Sequence, residues 1–268
     1  MIRVNDVEIN STNFPDGTLL MKLPLAIKPS YEDQWYYEND TELFKLICIV
    51  RHLREKYPSA GIELIMPYLP NARQDRVKNC EDVFTLKYFC EIINSLKFDT
   101  VFVKDVHSNV SLALLDRVIE IKPWDYIEKT INEIYDNYLP DDDTLMLFYP
   151  DEGAMKRYSN GLNLPFAFGV KRRNWETGKI EGLDLMGEVD MIAGRNVLII
   201  DDICSKGGTF YHSAKALKAA GAANIYLYVT HCENAIHEGE LLKEDSLIKH
   251  IFTTNSILTK THEKITLV

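Results

Sequence analysis

Val197-Leu198-Ile199-Ile200-Asp201-Asp202-Ile203-Cys204-Ser205-Lys206-Gly207-Gly208-Thr209 is the stretch whose reading decides the fold. Four aliphatic residues in a row, Val197, Leu198, Ile199 and Ile200, have the pattern of a strand buried on both faces, as in a parallel sheet covered by helices. Two acids close the strand, and Gly207 and Gly208 allow a tight turn into a helix predicted over 210–220, with Gly221 placed to end it in a left-handed conformation. The N–H groups that open such a helix point at an anion, and Thr209 adds a hydroxyl donor, so a phosphate suits the turn. Asp201 and Asp202 can then accept hydrogen bonds from the two vicinal hydroxyls of a ribose. Taken alone, the same residues also suit a strand-turn-helix corner in which the acids cap the turn and the glycines only tighten it.

Outward from this stretch the same rhythm repeats. Strands are predicted at 62–66, 101–103, 145–149, 196–200 and 225–229, with helices at 83–96 and 124–138 between them. Strands alternating with helices define an α/β fold with mainly parallel sheets, and the rhythm runs long enough for two sheets in tandem. Lys122-Pro123 and the acidic turn Pro140-Asp141-Asp142-Asp143 bracket the helix at 124–138, so the boundary falls at Pro123, giving domains 1–122 and 123–268.

Composition narrows the function. The 40 Asp and Glu outnumber 30 Lys and Arg, and a net charge of -10 repels a phosphate backbone, so nucleic acid is not an expected partner. No apolar run is long enough for a membrane span and the first residues do not resemble a signal peptide, which makes the cytoplasm the expected compartment. The 5 cysteines form no C-x-x-C pair and fit reduced thiols rather than disulfides or zinc ligands.

Three further segments carry chemistry at predicted strand ends, where nucleotides bind in α/β sheets. Arg73, Gln74, Asp75 and Arg76 follow the strand at 62–66, and guanidinium groups make forked bonds to phosphate oxygens; a surface salt-bridge cluster would have the same composition. His107 follows the strand at 101–103, in Lys104-Asp105-Val106-His107-Ser108. A lone His is more often structural, and hard Mg²⁺ prefers oxygen. Asp151 follows the strand at 145–149, where an Asp in a Pro-containing turn commonly caps a helix. Lys171, Arg172 and Arg173 precede a Gly-containing loop at 175–182, which reads as a cation-bearing flap or as a solvated face.

In this order the segments resemble the ribose-phosphate diphosphokinase (phosphoribosyl pyrophosphate synthetase) family over 14–232. Phe14-Pro15-Asp16-Gly17 is similar to its adenine-side segment, Ala72-Arg73-Gln74-Asp75-Arg76 to its ATP motif, Asp105-Val106-His107-Ser108 to its metal-binding His motif, Pro150-Asp151 to its sugar-side acid, and Lys171 and Arg173 to its catalytic Lys-x-Arg. The resemblance implies two tandem phosphoribosyltransferase-like domains, ATP bound by Phe14, Asp16, Arg73, Gln74, Asp75, Arg76 and His107, and a ribose phosphate bound by Asp151, Asp201, Asp202, Ser205, Lys206, Gly207, Gly208 and Thr209. It implies Mg²⁺ at His107 and Asp151, catalysis by Lys171 and Arg173, and a homo-oligomer in which a neighbour supplies the segment around Phe14. The implied reaction moves the β,γ-diphosphoryl group of ATP to the anomeric hydroxyl of the sugar and releases AMP.

The chain also departs from the family pattern. Ser205-Lys206 replaces an Asp-Thr, Thr18 stands where a Glu is expected, and only 13 residues precede Phe14 where the family has a further strand and helix, so a smaller first sheet is expected. An added cation and a smaller side chain in the loop raise ADP-ribose as acceptor beside ribose 5-phosphate. Nucleotide biosynthesis would then be joined by NAD metabolism as a setting. A phosphoribosyltransferase, which shares the loop but lacks the Arg-Gln-Asp-Arg and His motifs, and a catalytically silent regulatory relative are the alternatives.

Overall fold

All eight residues of Ile225–Cys232 are buried, as are the five of Leu145–Tyr149. Strands so apolar on both faces need helices on each side. A computed structural model describes residues 1–24, 26–139, 144–173 and 180–268, with Arg172, Arg173, Ile180 and Glu181 described by backbone alone. The chain divides into two units, Met1–Lys122 and Pro123–Val268.

In the first unit the strands β1 (Ile2–Val4), β2 (Val7–Glu8), β5 (Ser30–Trp35), β6 (Gly61–Met66), β7 (Thr100–Lys104) and β8 (Val118–Ile121) form one sheet in the order β2-β1-β5-β6-β7-β8. β5 to β8 are parallel, whereas β1 runs antiparallel to both β2 and β5. A separate hairpin joins β3 (Ser11–Asn13) to β4 (Leu19–Met21), and the helices are α1 (Thr41–Lys56), α2 (Thr85–Ser95) and α3 (Asn109–Leu114). The residues before Phe14 therefore supply two strands to the sheet. In β6, Ile62, Leu64 and Met66 are buried and alternate with half-buried residues, and they pack with Leu46, Ile49 and Leu53 of α1 and Phe89 and Ile93 of α2.

The second unit has α4 (Trp124–Tyr138), β9 (Leu145–Tyr149), α5 (Glu152–Tyr158), β10 (Phe166–Arg173), β11 (Ile180–Gly187), β12 (Asn196–Cys204), α6 (Gly208–Ala219), β13 (Ile225–Cys232), β14 (Ile248–Thr253) and β15 (Ile265–Leu267). Its sheet runs β11-β10-β9-β12-β13-β14-β15, all parallel except the edge strand β11. Strand alternation splits its core in two. Val197 and Ile199 pack with Phe210, Ala214 and Leu217 of α6, while Leu198 and Ile200 pack with Ile127 and Ile134 of α4 and Tyr158 of α5.

Two sequence expectations are corrected here. The strand predicted at 196–200 continues to Cys204, with Asp201 opposite Val229 and Cys204 opposite Cys232, so both acids lie within the strand and the loop begins at Ser205. The flap predicted over 175–182 is in part a strand: β11 begins at Ile180 and pairs Gly182 with Arg172 and Ile180 with Arg173. Residues 174–179 lie outside the described residues.

One buried acid stands apart from any site. Asp33 of β5 is fully buried, and neither carboxylate oxygen has a hydrogen-bond partner. Burial pushes its pKa up to about 7 against the opposing charge of Arg54. A raised carboxyl favours folding below the unfolded pKa and loses that advantage as pH rises toward 7, at roughly 1.4 kcal/mol per pH unit over the window. Asp33→Asn is therefore expected to raise the thermal midpoint at pH 8, with the gain shrinking toward pH 4. A gain that is the same at both pH values would show that the carboxyl is not strained by ionisation.

Candidate functional site

The acids and cations of the second unit converge where β9 and β12 end. Asp151 opens α5 in extended conformation, and its Oδ1 accepts hydrogen bonds from the N–H groups of Gly153 and Ala154 at 3.0 and 3.1 Å. Its Oδ2 lies 3.3 Å from Lys171 Nζ. Asp151 is thus both the helix cap that its Pro-containing turn announces and the partner of the first cation of the Lys-x-Arg pair. Arg173 closes β10, and its side chain lies outside those described.

Asp202 is buried and pairs with Arg157 of α5, Nη1 to Oδ2 2.8 Å. Arg157 was not singled out from the sequence, where Lys156-Arg157 reads as an ordinary basic pair in the last turn of a short helix. Burial holds the Asp201 carboxyl well above the usual carboxylate range, and the adjacent Asp202 charge raises it further, with a contribution from Asp151. No cation pairs with Asp201 among the described residues.

After β12, Gly207 takes a left-handed conformation (φ +80°) and α6 starts at Gly208. A Cβ on Gly207 would overlap the side chain of Leu241, and one on Gly239 would overlap the Lys206 carbonyl. The loop is therefore clamped against the segment around Gly239 with no room for a side chain at either glycine. Lys206 Nζ sits 2.8 Å from Glu238 Oε2, with both side chains about two-thirds exposed. The pair raises the lysine pKa and lowers that of the glutamate.

Gly208 and Thr209 share a cavity of about 420 Å³ with Lys171, Leu183, His212 and Ser213, closed farther along α6 by Ala216. Ser213 is fully buried, and its Oγ has no hydrogen-bond partner. Asp201, Asp202, Ser205 and Lys206 are not among the residues lining this cavity. His212, Ser213 and Ala216 escaped sequence reading because they look like ordinary helix positions. Only helical spacing puts them on one face, His212 and Ala216 at i+4 and i+8 from Gly208 and Ser213 at i+4 from Thr209.

In the first unit a second cavity of about 390 Å³ brings together Arg73, Gln74, Asp75, Arg76, Lys78, Asp82 and His107. Its acids are already engaged. Asp75 accepts a forked pair of bonds from Arg76 at 2.6 and 2.9 Å, which hold its pKa low, helped by Ser108 and His107. Asp82 accepts from the N–H groups of Lys78 and Asn79, both at 2.8 Å. Gln74 is positioned by the Thr85 hydroxyl at 2.9 Å. The balance left to the cavity is cationic, which suits a polyphosphate. Phe14 and Asp16 are not among its lining residues. They form the turn of the β3–β4 hairpin, where Asp16 accepts from the Thr18 N–H at 3.0 Å and hydroxyl at 2.7 Å, Gly17 has φ +85°, and Phe14 is exposed.

Residues 178–266 match the family model described as phosphoribosyl synthetase-associated domain. The ribose-phosphate pyrophosphokinase of Thermococcus kodakarensis is 27% identical over 259 residues, spanning 94% of this chain and 87% of that protein. The enzyme of the same name from Pyrococcus abyssi is 27% identical over 272 residues, spanning 98% and 89%. In fold, the phosphoribosylpyrophosphate synthetase of Mycobacterium smegmatis superposes with a TM-score of 0.77 at 20% identity, covering 98% of this chain and 87% of that one. Over most of its length the chain is similar to the ribose-phosphate pyrophosphokinases.

Proposed function

We propose that this chain is an ATP-dependent diphosphokinase that moves the β,γ-diphosphoryl group of ATP to the anomeric hydroxyl of a ribose 5-phosphate-type acceptor and releases AMP. The observation that carries this reading is Lys171, which pairs with Asp151 and lines one cavity together with Gly208 and Thr209 of the helix start. The helix start takes the 5-phosphate at Gly207, Gly208 and Thr209, with Ser205 at its entry. Asp201 and Asp202 take the ribose hydroxyls. The raised Asp201 carboxyl is the group that most gains from new hydrogen bonds when the sugar arrives. Arg73, Gln74 and Arg76, with Lys78, hold the nucleotide, and Phe14 and Asp16 serve the adenine from a neighbouring copy in a homo-oligomer. The same reading places the protein in the cytoplasm, in nucleotide biosynthesis.

Transfer of a phosphoryl group passes through a loose transition state with its charge on the phosphoryl oxygens, so positioning and fixed positive charge do most of the catalysis. Lys171 and Arg173 supply that charge. Among the described residues no three of His, Cys, Asp and Glu are grouped to cage a metal. In the second unit Asp151, whose carboxylate is partly exposed, and in the first unit His107, which lines the cationic cavity, would each suit a Mg²⁺ that keeps phosphate oxygens and waters as its other ligands. Bound there, Mg²⁺ would neutralise phosphate charge and orient the oxygens.

The acceptor carries a second reading. The cavity continues past Gly208 and Thr209 along α6 to Leu183 and Ala216, which leaves room for a group attached beyond the 5-phosphate and supports ADP-ribose as acceptor. Lys206 lends this less support than its place in the loop promises, because it is drawn to Glu238.

Incubation with ATP and either acceptor, followed by mass analysis, should give AMP and a sugar diphosphate. Formation of a nucleotide and pyrophosphate from phosphoribosyl diphosphate and a nucleobase, with no AMP formed from ATP and either acceptor, would return the chain to the phosphoribosyltransferases, and absence of turnover in both assays would mark a silent relative. Lys171→Ala and Arg173→Ala should each lower kcat by about 100- to 1000-fold with unchanged thermal midpoints. Near-normal turnover in both would sink the mechanism. His107→Ala should need about 10- to 100-fold more Mg²⁺ for half-maximal rate; an unaltered requirement would make His107 structural. Ala216→Leu, which fills the far end of the cavity, should reduce kcat/KM for ADP-ribose far more than for ribose 5-phosphate. Equal losses, or no use of ADP-ribose by the unaltered protein, would leave ribose 5-phosphate as the acceptor.

A further inference from the structure

Asp201 and Asp202 are neighbours in β12, and the charge of Asp151, just after β9, also acts on Asp201. The strand that carries the two acids leads into the helix start that takes an anion in the reading above. Left uncompensated, that much negative charge would repel a sugar phosphate. Two of the three are offset within the unit: Asp151 by Lys171 from β10, and Asp202 by Arg157 from α5. Lys171 also lines the cavity, whereas Arg157 does not. The Arg157 side chain is about a quarter exposed, and its guanidinium lies 5.7 Å from the ring centroid of Tyr158, itself fully buried.

We infer that Arg157 is a positioning residue for the acceptor: by pairing with Asp202 from the α5 side, it holds in place the bonded Asp201–Asp202 carboxyls that take the ribose hydroxyls. The inference rests on the acceptor reading above and adds to it a residue outside the phosphate loop. Its logic is geometric. Asp201 and Asp202 are consecutive in β12, and their carboxyls hydrogen-bond each other. A group that holds Asp202 therefore also holds Asp201. Arg157 can do this through its ion pair at 2.8 Å, with its guanidinium set against the Tyr158 ring. The helix is itself anchored by Asp151, so the two acids that would frame the sugar are linked through α5.

The test is acceptor binding and steady-state kinetics of Arg157→Met and Arg157→Lys in the full chain. For Arg157→Met, KM for the acceptor should rise by about 10- to 100-fold while KM for ATP stays within about twofold, as expected for loss of one buried ion pair that holds ligand-binding groups. Arg157→Lys should recover part of the affinity. If Arg157→Met fails to fold, Arg157→Lys decides alone: a raised acceptor KM with an unchanged ATP KM supports the role, and normal values for both overturn it. Calorimetry with ribose 5-phosphate and with ADP-ribose, without ATP, separates the two levels of the proposal. Binding by the unaltered protein that Arg157→Met leaves unchanged overturns the role of Arg157 alone. No binding of either sugar phosphate by the unaltered protein sinks the acceptor reading, and the role of Arg157 with it.

Discussion

The two oxygens of Asp151 do different work, and the geometry of the second unit's site depends on that division. Oδ1 satisfies two N–H groups that would otherwise be unpaired at the start of α5, while Oδ2 pairs with Lys171 on the neighbouring strand. A cap of this kind typically contributes about 1 kcal/mol to helix stability. Its larger consequence is positional. It sets where α5 begins, and α5 delivers Arg157 to Asp202. Removing the carboxylate would therefore free the helix start and the Lys171 ammonium together.

Charge is handled by the same device in both units. In the first, Asp75 is occupied by Arg76 and Asp82 by two backbone N–H groups, so the acids near the cavity shape its walls. In the second, cations hold two of three acids and Asp201 is left to carry the cost of burial. A protein with a net charge of -10 can thus line two cavities with cations, because local pairing rather than overall charge sets the field that a ligand meets at close range.

Backbone proximity does comparable work around the phosphate loop. Gly207 is needed both for its left-handed φ and for the approach of Leu241, and Gly239 because the Lys206 carbonyl occupies the space of a Cβ. These contacts join the loop to a segment more than 30 residues away, and they turn the Lys206 side chain outward to Glu238.

Much of this was legible in the sequence. The aliphatic runs at 145–149, 196–200 and 225–229 become central strands, and the periodic stretch at 124–138 becomes α4, because strands buried on both faces and amphipathic helices each leave a local pattern. Residue types at the strand ends likewise marked Asp151, Lys171, Asp201 and Gly207 without any coordinates. What no local pattern carries is which side chains meet. Arg157 and Asp202 are 45 positions apart, and Ser213 and Ala216 look like any helix residues until β11 is packed across from them. The first-unit cavity collects Lys78 and Asp82 by the path of a loop rather than by any motif. The extension of β12 through both acids was also hidden, since Asp is a poor strand former and only pairing with β13 holds it extended. Composition and periodicity by themselves determined the α/β layering and the strand ends at which the acids and cations gather, because both follow from the pattern along single elements. The pairing of each acid with its cation was decided only by the tertiary structure, because it depends on distances between elements that the chain brings together after they have formed.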